Sequence, residues 1–362
     1  MGADFAIIIH PVNLDLLHIF DPGTKEKRPE VIKKVLEWTP AFYTCPIQGT
    51  KSVTSREVEG HFIMCPLLPE QILNHDPDFV IKRVIEAARI AEELGVKLLG
   101  LAAYVSLVGR KGSFIAKHVR IPVTTGTAYT IATALEASFH AAQLVGIELE
   151  SCRAVVIGAT GSIGSACSVI LSTKVSQLTL VARNKQRLSD LVLSLELKRR
   201  KAALQTTDRA DQAIEGADLI ISSTNTPATL IDANQLKPGT IVCDVSQPHN
   251  IDREAVRKRK DILVIDGGVV RPPHNVNFNF NFGLAPGLAF ACIAETMILA
   301  LEERYESYSL GGNLSLSKIR EIAALGRKHG FQLAELRSFD REVTEEQLAQ
   351  VRGARLKYLE KS

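Results

Sequence analysis

The sequence predicts an α/β protein built on a doubly wound parallel sheet, preceded by a second α/β segment and followed by helices. Three observations carry this prediction. Short apolar runs of strand length recur at Arg153–Ile157, Gln177–Ala182, Asp218–Ser222, Thr240–Val245 and Ile262–Ile265. Segments of helical composition, such as Lys185–Lys201, separate them, and strands alternating with helices form parallel sheets covered on both faces. A glycine-rich turn, Gly158–Gly164, joins the first strand to a helical run, Ser165–Thr173.

Flanking elements follow from periodicity and punctuation. Phe5–Ile9 reads as a strand, and Pro77–Gly95 as a helix whose apolar side holds Phe79, Ile81, Val84, Ile85, Ala88 and Ile90. Gly126–Val145 is a helical run leading into the sheet, and Pro286–Tyr305 reads as a long apolar helix started by its proline. Ser315–His329 is a helix ending at Gly330, a C-cap residue, and a charged surface helix follows from Asp340. The expected division is an N-terminal α/β substrate domain over 1–149 and a nucleotide-binding sheet domain over 150–275. A C-terminal helical segment, 276–362, would pack back on the first domain.

With 362 residues the chain has room for about two domains at ~150 residues each. Hydrophobic residues make up 46% and charged residues 23%, a globular composition. The 43 basic against 40 acidic residues leave a net charge of +3, which gives no electrostatic case for nucleic acid. No unbroken apolar run approaches the ~20 residues of a membrane span. Met1–His10 carries Asp4 and no basic n-region, so a secretory signal is not expected. Six cysteines at 45, 65, 152, 167, 243 and 292 contain no C-x-x-C pair, so reduced thiols, no structural metal and a cytoplasmic setting are expected.

The glycine turn is the first candidate site. Gly158, Gly161 and Gly164 stand in a G-x-x-G-x-x-G spacing with Thr160, Ser162 and Ile163 between them. Such a turn brings the backbone close to a pyrophosphate at a helix N-terminus, where N–H groups face the phosphate charge. The spacing suits an NADP-binding, Rossmann-like domain. At the end of the second strand an acidic residue would hold a ribose hydroxyl. Here Arg183 and Asn184 stand instead, with Lys185 and Arg187 following, which suits the 2′-phosphate of NADPH. Ser223 and Thr224 end the next strand and would line the cofactor cleft, or simply cap a turn. Gly268 would let nicotinamide or substrate approach the backbone, or close a tight turn.

Cys292 is the candidate nucleophile. Near a helix start the positive helix end favours a thiolate, which can attack an acyl thioester. A buried core cysteine is the plainer reading of the same residue, and Cys45 and Cys65 are rivals.

The chain resembles the cyanobacterial long-chain acyl-[acyl-carrier-protein] reductases, which form fatty aldehydes. The matching pieces are Val53-Thr-Ser55, Thr124-Thr-Gly-Thr-Ala-Tyr-Thr130, Gly158-Ala-Thr-Gly-Ser-Ile-Gly-Ser-Ala166, Val181-Ala-Arg-Asn184, Gly267-Gly-Val-Val270, Ala291-Cys-Ile-Ala-Glu-Thr-Met297 and Lys328-His-Gly-Phe-Gln332, in that order. The resemblance implies NADPH-dependent reduction of a fatty acyl group, delivered by acyl-carrier protein or coenzyme A, through an acyl thioester on Cys292. A fatty-aldehyde product would be either released or passed to an aldehyde-consuming enzyme as a downstream partner. The chain departs from the family at Ser162, where an acidic residue is usual, and at Thr127-Ala-Tyr129, which replaces Asn-Thr-His. It departs again at Asn275–Phe282, where Asn and Phe alternate, and in the tail beyond Leu336.

His10, His274 and His329 are candidates for proton traffic, and Glu295 would share a helix face with Cys292. The apolar runs Leu98–Val108 and Gly283–Ala294 could line an acyl groove. Basic runs at Arg110-Lys111, Lys117–Arg120, Lys198–Lys201 and Arg257–Lys260 could meet an acidic carrier. Three other readings compete. One is an NADP-dependent small hydroxy-acid or amino-acid dehydrogenase of shikimate-dehydrogenase-like layout, though no Asn-Val-Thr-x-Pro-x-Lys motif is present. Another is a glutamyl-tRNA-reductase-like enzyme using Cys45, and the last a non-catalytic NADP-binding regulator.

Overall fold

The computed structural model describes residues 3–198, 200–224, 226, 229–246 and 249–361. The chain forms two units, one of Met1–Tyr129 with Val270–Gln332 and one of Thr130–Val269 with Leu333–Ser362.

The first unit holds a five-stranded sheet. Its strands are β1 (Phe5–Ile9), β2 (Phe42–Lys51), β3 (Glu57–Met64), β4 (Leu98–Leu101) and β5 (Val123–Thr124), in the order β2-β3-β1-β4-β5. β1 runs parallel to β3 and β4, β4 parallel to β5, and β2 antiparallel to β3. Every residue of β1 is buried, as a central strand covered on both faces requires. On one face Ala6, Ile8, Ile63, Leu99 and Leu101 join a core with Val80, Val84, Ala87, Ala88 and Ala91 of helix α2 (Pro77–Glu93). That helix starts at Asp76, whose carboxylate accepts from the Asp78 N–H, with Pro77 in the first turn. A shorter helix, α1 (Pro29–Trp38), precedes β2.

Helix α3 (Thr127–Val145) follows β5, and the division between units falls within it, after Tyr129. The second unit is a six-stranded, wholly parallel sheet. Along the chain come β6 (Arg153–Ile157), α4 (Ser162–Leu171), β7 (Gln177–Val181), α5 (Lys185–Glu196), β8 (Ala203–Thr207), β9 (Leu219–Ser222), β10 (Ile241–Asp244) and β11 (Leu263–Asp266). The strand order is β11-β10-β9-β6-β7-β8, a doubly wound, Rossmann-like sheet. Leu219–Ser222, Ile241–Asp244 and the last four residues of β6 are all buried, which explains why these strands read as continuous apolar runs.

The chain then returns to the first unit through α6 (Ala291–Leu301) and α7 (Leu316–His329), whose C-cap is Gly330 at φ +90°. Ser315 accepts from the Lys318 N–H and starts α7. The tail belongs to the second unit. It forms a small hairpin, Arg337–Ser338 against Arg341–Glu342, and helix α8 (Glu345–Leu359). Arg355 places Nη1 2.9 Å from Asp218 Oδ1, and Lys237 Nζ lies 2.6 Å from the same oxygen. The Phe339 and Asp340 N–H groups donate to Asp266. These polar anchors explain why 333–362 separates from 276–332, two stretches that the sequence joins in one segment.

Several boundaries differ from the sequence expectation. The helix expected from Pro286 begins at Ala291, because Gly287 takes φ +79° and Ala289–Phe290 is extended. The helix after the glycine turn begins at Ser162, so Gly164 lies inside it. The helix expected to reach Lys201 ends at Glu196, and β8 follows it.

Candidate active site

In the second unit β6 ends at Ile157 and the chain turns at Gly158, with φ +81°. A Cβ there would lie 2.7 Å from the carbonyl oxygen of Ser223, at the end of β9. A Cβ on Gly164 would lie 2.2 Å from the Gly158 carbonyl oxygen, so only glycine lets the first turn of α4 close on the end of β6. The Gly158 and Ala159 N–H groups both donate to Val181 O, at 2.9 and 3.0 Å, tying the turn to the end of β7. β6 lies between β7 and β9, where the direction of winding reverses, and the turn lies outside its carboxyl end. Thr160, Gly161, Ser162 and Ile163 are half-buried around the N-terminal end of α4, where helix N–H groups attract phosphate.

Arg183 is exposed just beyond β7. Asn184 has a structural task, since its side chain accepts from the Arg187 N–H at 2.9 Å and caps α5. Lys185 and Arg187 are exposed on the first turn of that helix. No acidic residue stands at the end of β7, so this edge fits the 2′-phosphate of NADPH. Ser223 donates its N–H to Ile157 O at 3.0 Å. The Thr224 hydroxyl bonds Asn250 Oδ1 at 3.1 Å, and Asn250 also accepts from Ser222 and Ser246. These bonds fix the β9 edge, and Gly268 turns the chain at φ +82° after β11.

Cys292 lies in the first unit, as the second residue of α6. It is half-buried, and the N–H groups of Ala103, Ile293 and Cys292 itself are directed at its sulfur. Ala103 sits just beyond β4 at φ +49°, a left-handed conformation that costs an alanine on the order of 1 kcal/mol. Gly126, beyond β5, has φ +71°, and a Cβ there would lie 2.2 Å from Cys292 Cα. Loops from two neighbouring parallel strands therefore close around the start of α6.

Glu295 fastens this arrangement. Its carboxylate is fully buried and accepts from Thr124 Oγ1 at 2.5 Å and from the Tyr129 N–H at 2.8 Å. Ser309 and the Gly126 N–H also donate to it. It caps the start of α3 across from its own helix, and these partners are hydroxyl and N–H groups rather than a lysine or arginine. Burial pushes its carboxyl above the usual range in spite of these bonds. Burial likewise pushes the Cys292 thiol up, outweighing the three N–H groups that favour the thiolate. The helix start alone therefore does not deliver a lowered thiol pKa.

The three histidines have different surroundings. His10 follows β1, is buried, and has its pKa lowered by burial to about 4. Its Nε2 accepts from the Tyr104 N–H at 3.2 Å and its Nδ1 meets Pro11 O at 2.9 Å, so it is held neutral and steadies the loop that carries Ala103. His329 ends α7 but is buried, with Nδ1 2.9 Å from Ser52 Oγ and Nε2 2.8 Å from Glu302. Burial lowers its pKa and favours the neutral ring. His274 is exposed at φ +59°. Cys65 is fully buried, with its thiol pushed up to about 12, and Cys45 is half-buried on β2 with its thiol 3.5 Å from Phe278 O. Of the basic runs, Arg257 pairs with Glu254, while Arg259 bonds Asp261 at 2.7 Å and Leu236 O at 2.7 Å. Among the described residues no His, Cys, Asp or Glu cluster could hold a metal, and no helix is long and apolar enough to cross a membrane.

The parallel sheet and its glycine turn define an NAD(P)-dependent oxidoreductase, and residues 140–266 match the model of the shikimate/quinate 5-dehydrogenase family. Over 301 residues the chain is 30% identical to the long-chain acyl-[acyl-carrier-protein] reductase of Synechococcus elongatus, covering 78% of this chain and 84% of that protein. The chain belongs to the family of that reductase. It is also 30% identical over 295 residues to the aminotransferase PigE of a Serratia species, covering 81% of this chain but 34% of that protein, so it spans about a third of this relative. Among solved structures, the shikimate 5-dehydrogenase of Listeria monocytogenes, in complex with shikimate and NAD, matches 89% of this chain and 96% of its own at 11% identity and a TM-score of 0.39.

Proposed function

We propose that the protein reduces long-chain fatty acyl thioesters to fatty aldehydes with NADPH, through an acyl thioester on Cys292. Acyl-carrier protein or coenzyme A delivers the acyl group, and an aldehyde-consuming enzyme takes the product. The observation that carries this reading is the Cys292 sulfur at the start of α6, faced by the Ala103, Ile293 and Cys292 N–H groups. Such donors stabilise both a thiolate and the oxyanion that forms beside it.

The Cys292 thiol gives up its proton to solvent and Sγ attacks the acyl carbonyl. The carrier thiolate leaves, taking a proton from solvent, and the acyl group remains on Cys292. Gly158, Thr160, Gly161, Ser162, Ile163 and Gly164 hold the pyrophosphate, and Arg183 the 2′-phosphate. Asn184 sets the start of α5, while Ser223, Thr224 and Gly268 shape the cleft. Bound there, NADPH supplies the hydride for the reduction. The C–S bond then breaks, the electron pair returns to Cys292 Sγ, and the aldehyde leaves. No general acid is required at the carbonyl oxygen, because the oxyanion collapses by expelling the thiolate. That agrees with a neutral, fully engaged His10.

The shikimate/quinate dehydrogenase match favours a second reading, a small hydroxy-acid or amino-acid dehydrogenase, in which Cys292 has no covalent role. Aldehyde formation from hexadecanoyl-CoA and NADPH, followed by gas chromatography, separates the two. We expect Cys292→Ala to lower the rate by about a thousandfold or more. Oxidation of a small hydroxy acid that survives Cys292→Ala would favour the second reading.

A further inference from the structure

The run from Val276 to Phe282 places phenylalanine at 278, 280 and 282 and asparagine at 277, 279 and 281. Period-two alternation puts the two residue types on opposite sides of an extended segment. The three asparagines are exposed. Asn277 exchanges backbone bonds of 2.9 Å with Gln48 of β2, Asn277 Oδ1 accepts from the Asn279 N–H at 2.9 Å, and Asn281 Oδ1 accepts from the Gly283 N–H at 2.9 Å. Asn279 Nδ2 donates to Pro46 O at 3.1 Å. The asparagines thus pin the segment along β2, leaving the rings on its other side.

Those rings form a continuous aromatic path. Phe62, fully buried on β3, has its centroid 6.2 Å from Phe278, 5.8 Å from Phe280 and 6.3 Å from Phe282. Phe282 lies 5.9 Å from Phe290, the N-cap of α6 two residues before Cys292. Phe62 pairs with Ile7, and Ile7 with Gly100, whose added Cβ would meet Thr296 of α6 at 2.3 Å. The path therefore lies on the sheet face that α6 covers. A satellite of the core would bury all its rings, yet Phe280, Phe282 and Phe290 are only half-buried.

We infer that Phe280, Phe282 and Phe290 form the wall against which the acyl chain of the Cys292 thioester lies, so that this segment sets the preference for long chains. The inference rests on the proposed acyl-cysteine function and names the apolar part of its substrate site. A polymethylene chain leaving the sulfur would cover these half-exposed rings, and only a chain of several carbons reaches past Phe290 to Phe282 and Phe280.

The test compares Cys292 acylation by hexadecanoyl-CoA and butanoyl-CoA, followed by intact mass, in the parent and in Phe280→Ala/Phe282→Ala. The expected result is a fall of about tenfold or more in hexadecanoyl adduct formation, with the butanoyl rate within about twofold of the parent. An unchanged ratio of the two rates would overturn the inference and leave the acyl-cysteine reading intact. A parent that accepts neither donor would overturn that reading and the inference with it. If the double variant also loses the butanoyl adduct, Phe282→Trp decides. A preference moved towards shorter chains supports the wall, and an unmoved preference rejects it.

Discussion

Two opposing influences act on Cys292. Three N–H groups and the helix end favour the thiolate, while burial and the nearby Glu295 charge favour the thiol, and burial wins. The resting residue is therefore protonated at neutral pH, with its pKa above the ordinary 9.0. The thiolate fraction rises with pH up to that pKa. The acylation rate should consequently climb across the neutral range and not level off by pH 9 in a stopped-flow mass assay. A plateau reached below pH 7 would mean that the N–H groups outweigh burial. Of this site the sequence showed the cysteine, its approach to a helix start and Glu295 one turn away. Ala103 was hidden, because an alanine carries no local mark of a positive φ and its N–H belongs to the backbone. The role of His10 was hidden for a similar reason, since its neutrality comes from burial after β1.

At the scale of elements, legibility follows how local the cause is. The strand Arg153–Ile157 and the glycines after it were readable because a tight turn between a buried strand and a helix demands those residue types. β8 was missed because its first residues follow the charged run Lys198–Lys201, which extends the helical pattern. The β2–β3 pair was missed because β2 carries Pro46 and register shifts at Tyr43/Cys45 and Ile47/Thr50, which break its alternation. The start of α6 was read five residues early because Pro286 looks like a helix starter, and Gly287 then leaves the helical region. The glycine turn gives the prediction proper to this scale. Gly164→Ala forces a Cβ to 2.2 Å from Gly158 O, so α4 must shift from the end of β6. NADPH affinity, measured by fluorescence titration, should fall about tenfold or more, while butanoyl transfer to Cys292 continues. Unaltered NADPH binding would remove the turn from the cofactor site.

Across the whole molecule the two candidate sites belong to separate units, the candidate cofactor residues to Thr130–Val269 and Cys292 to Val270–Gln332 with Met1–Tyr129. Each unit has parallel strands at the centre of its sheet, with its candidate groups beyond their carboxyl ends, where loops are free to carry chemistry. The tail is held to the nucleotide unit by a buried pair, Arg355 with Asp218, and removing one partner of such a pair typically costs about 3–5 kcal/mol. That connection was not readable from the sequence, because Asp218 and Arg355 lie 137 residues apart. In the proposed function, acyl transfer to Cys292 and reduction by bound NADPH are two stages that can be separated in time. The most direct measurement is the intact mass of the parent and of Cys292→Ala after incubation with hexadecanoyl-CoA alone, repeated after NADPH is added. The proposed function requires one hexadecanoyl adduct on the parent, none on Cys292→Ala, and discharge of that adduct as hexadecanal when NADPH arrives. An adduct of equal yield on both proteins, or aldehyde formed by Cys292→Ala at the parental rate, would contradict it.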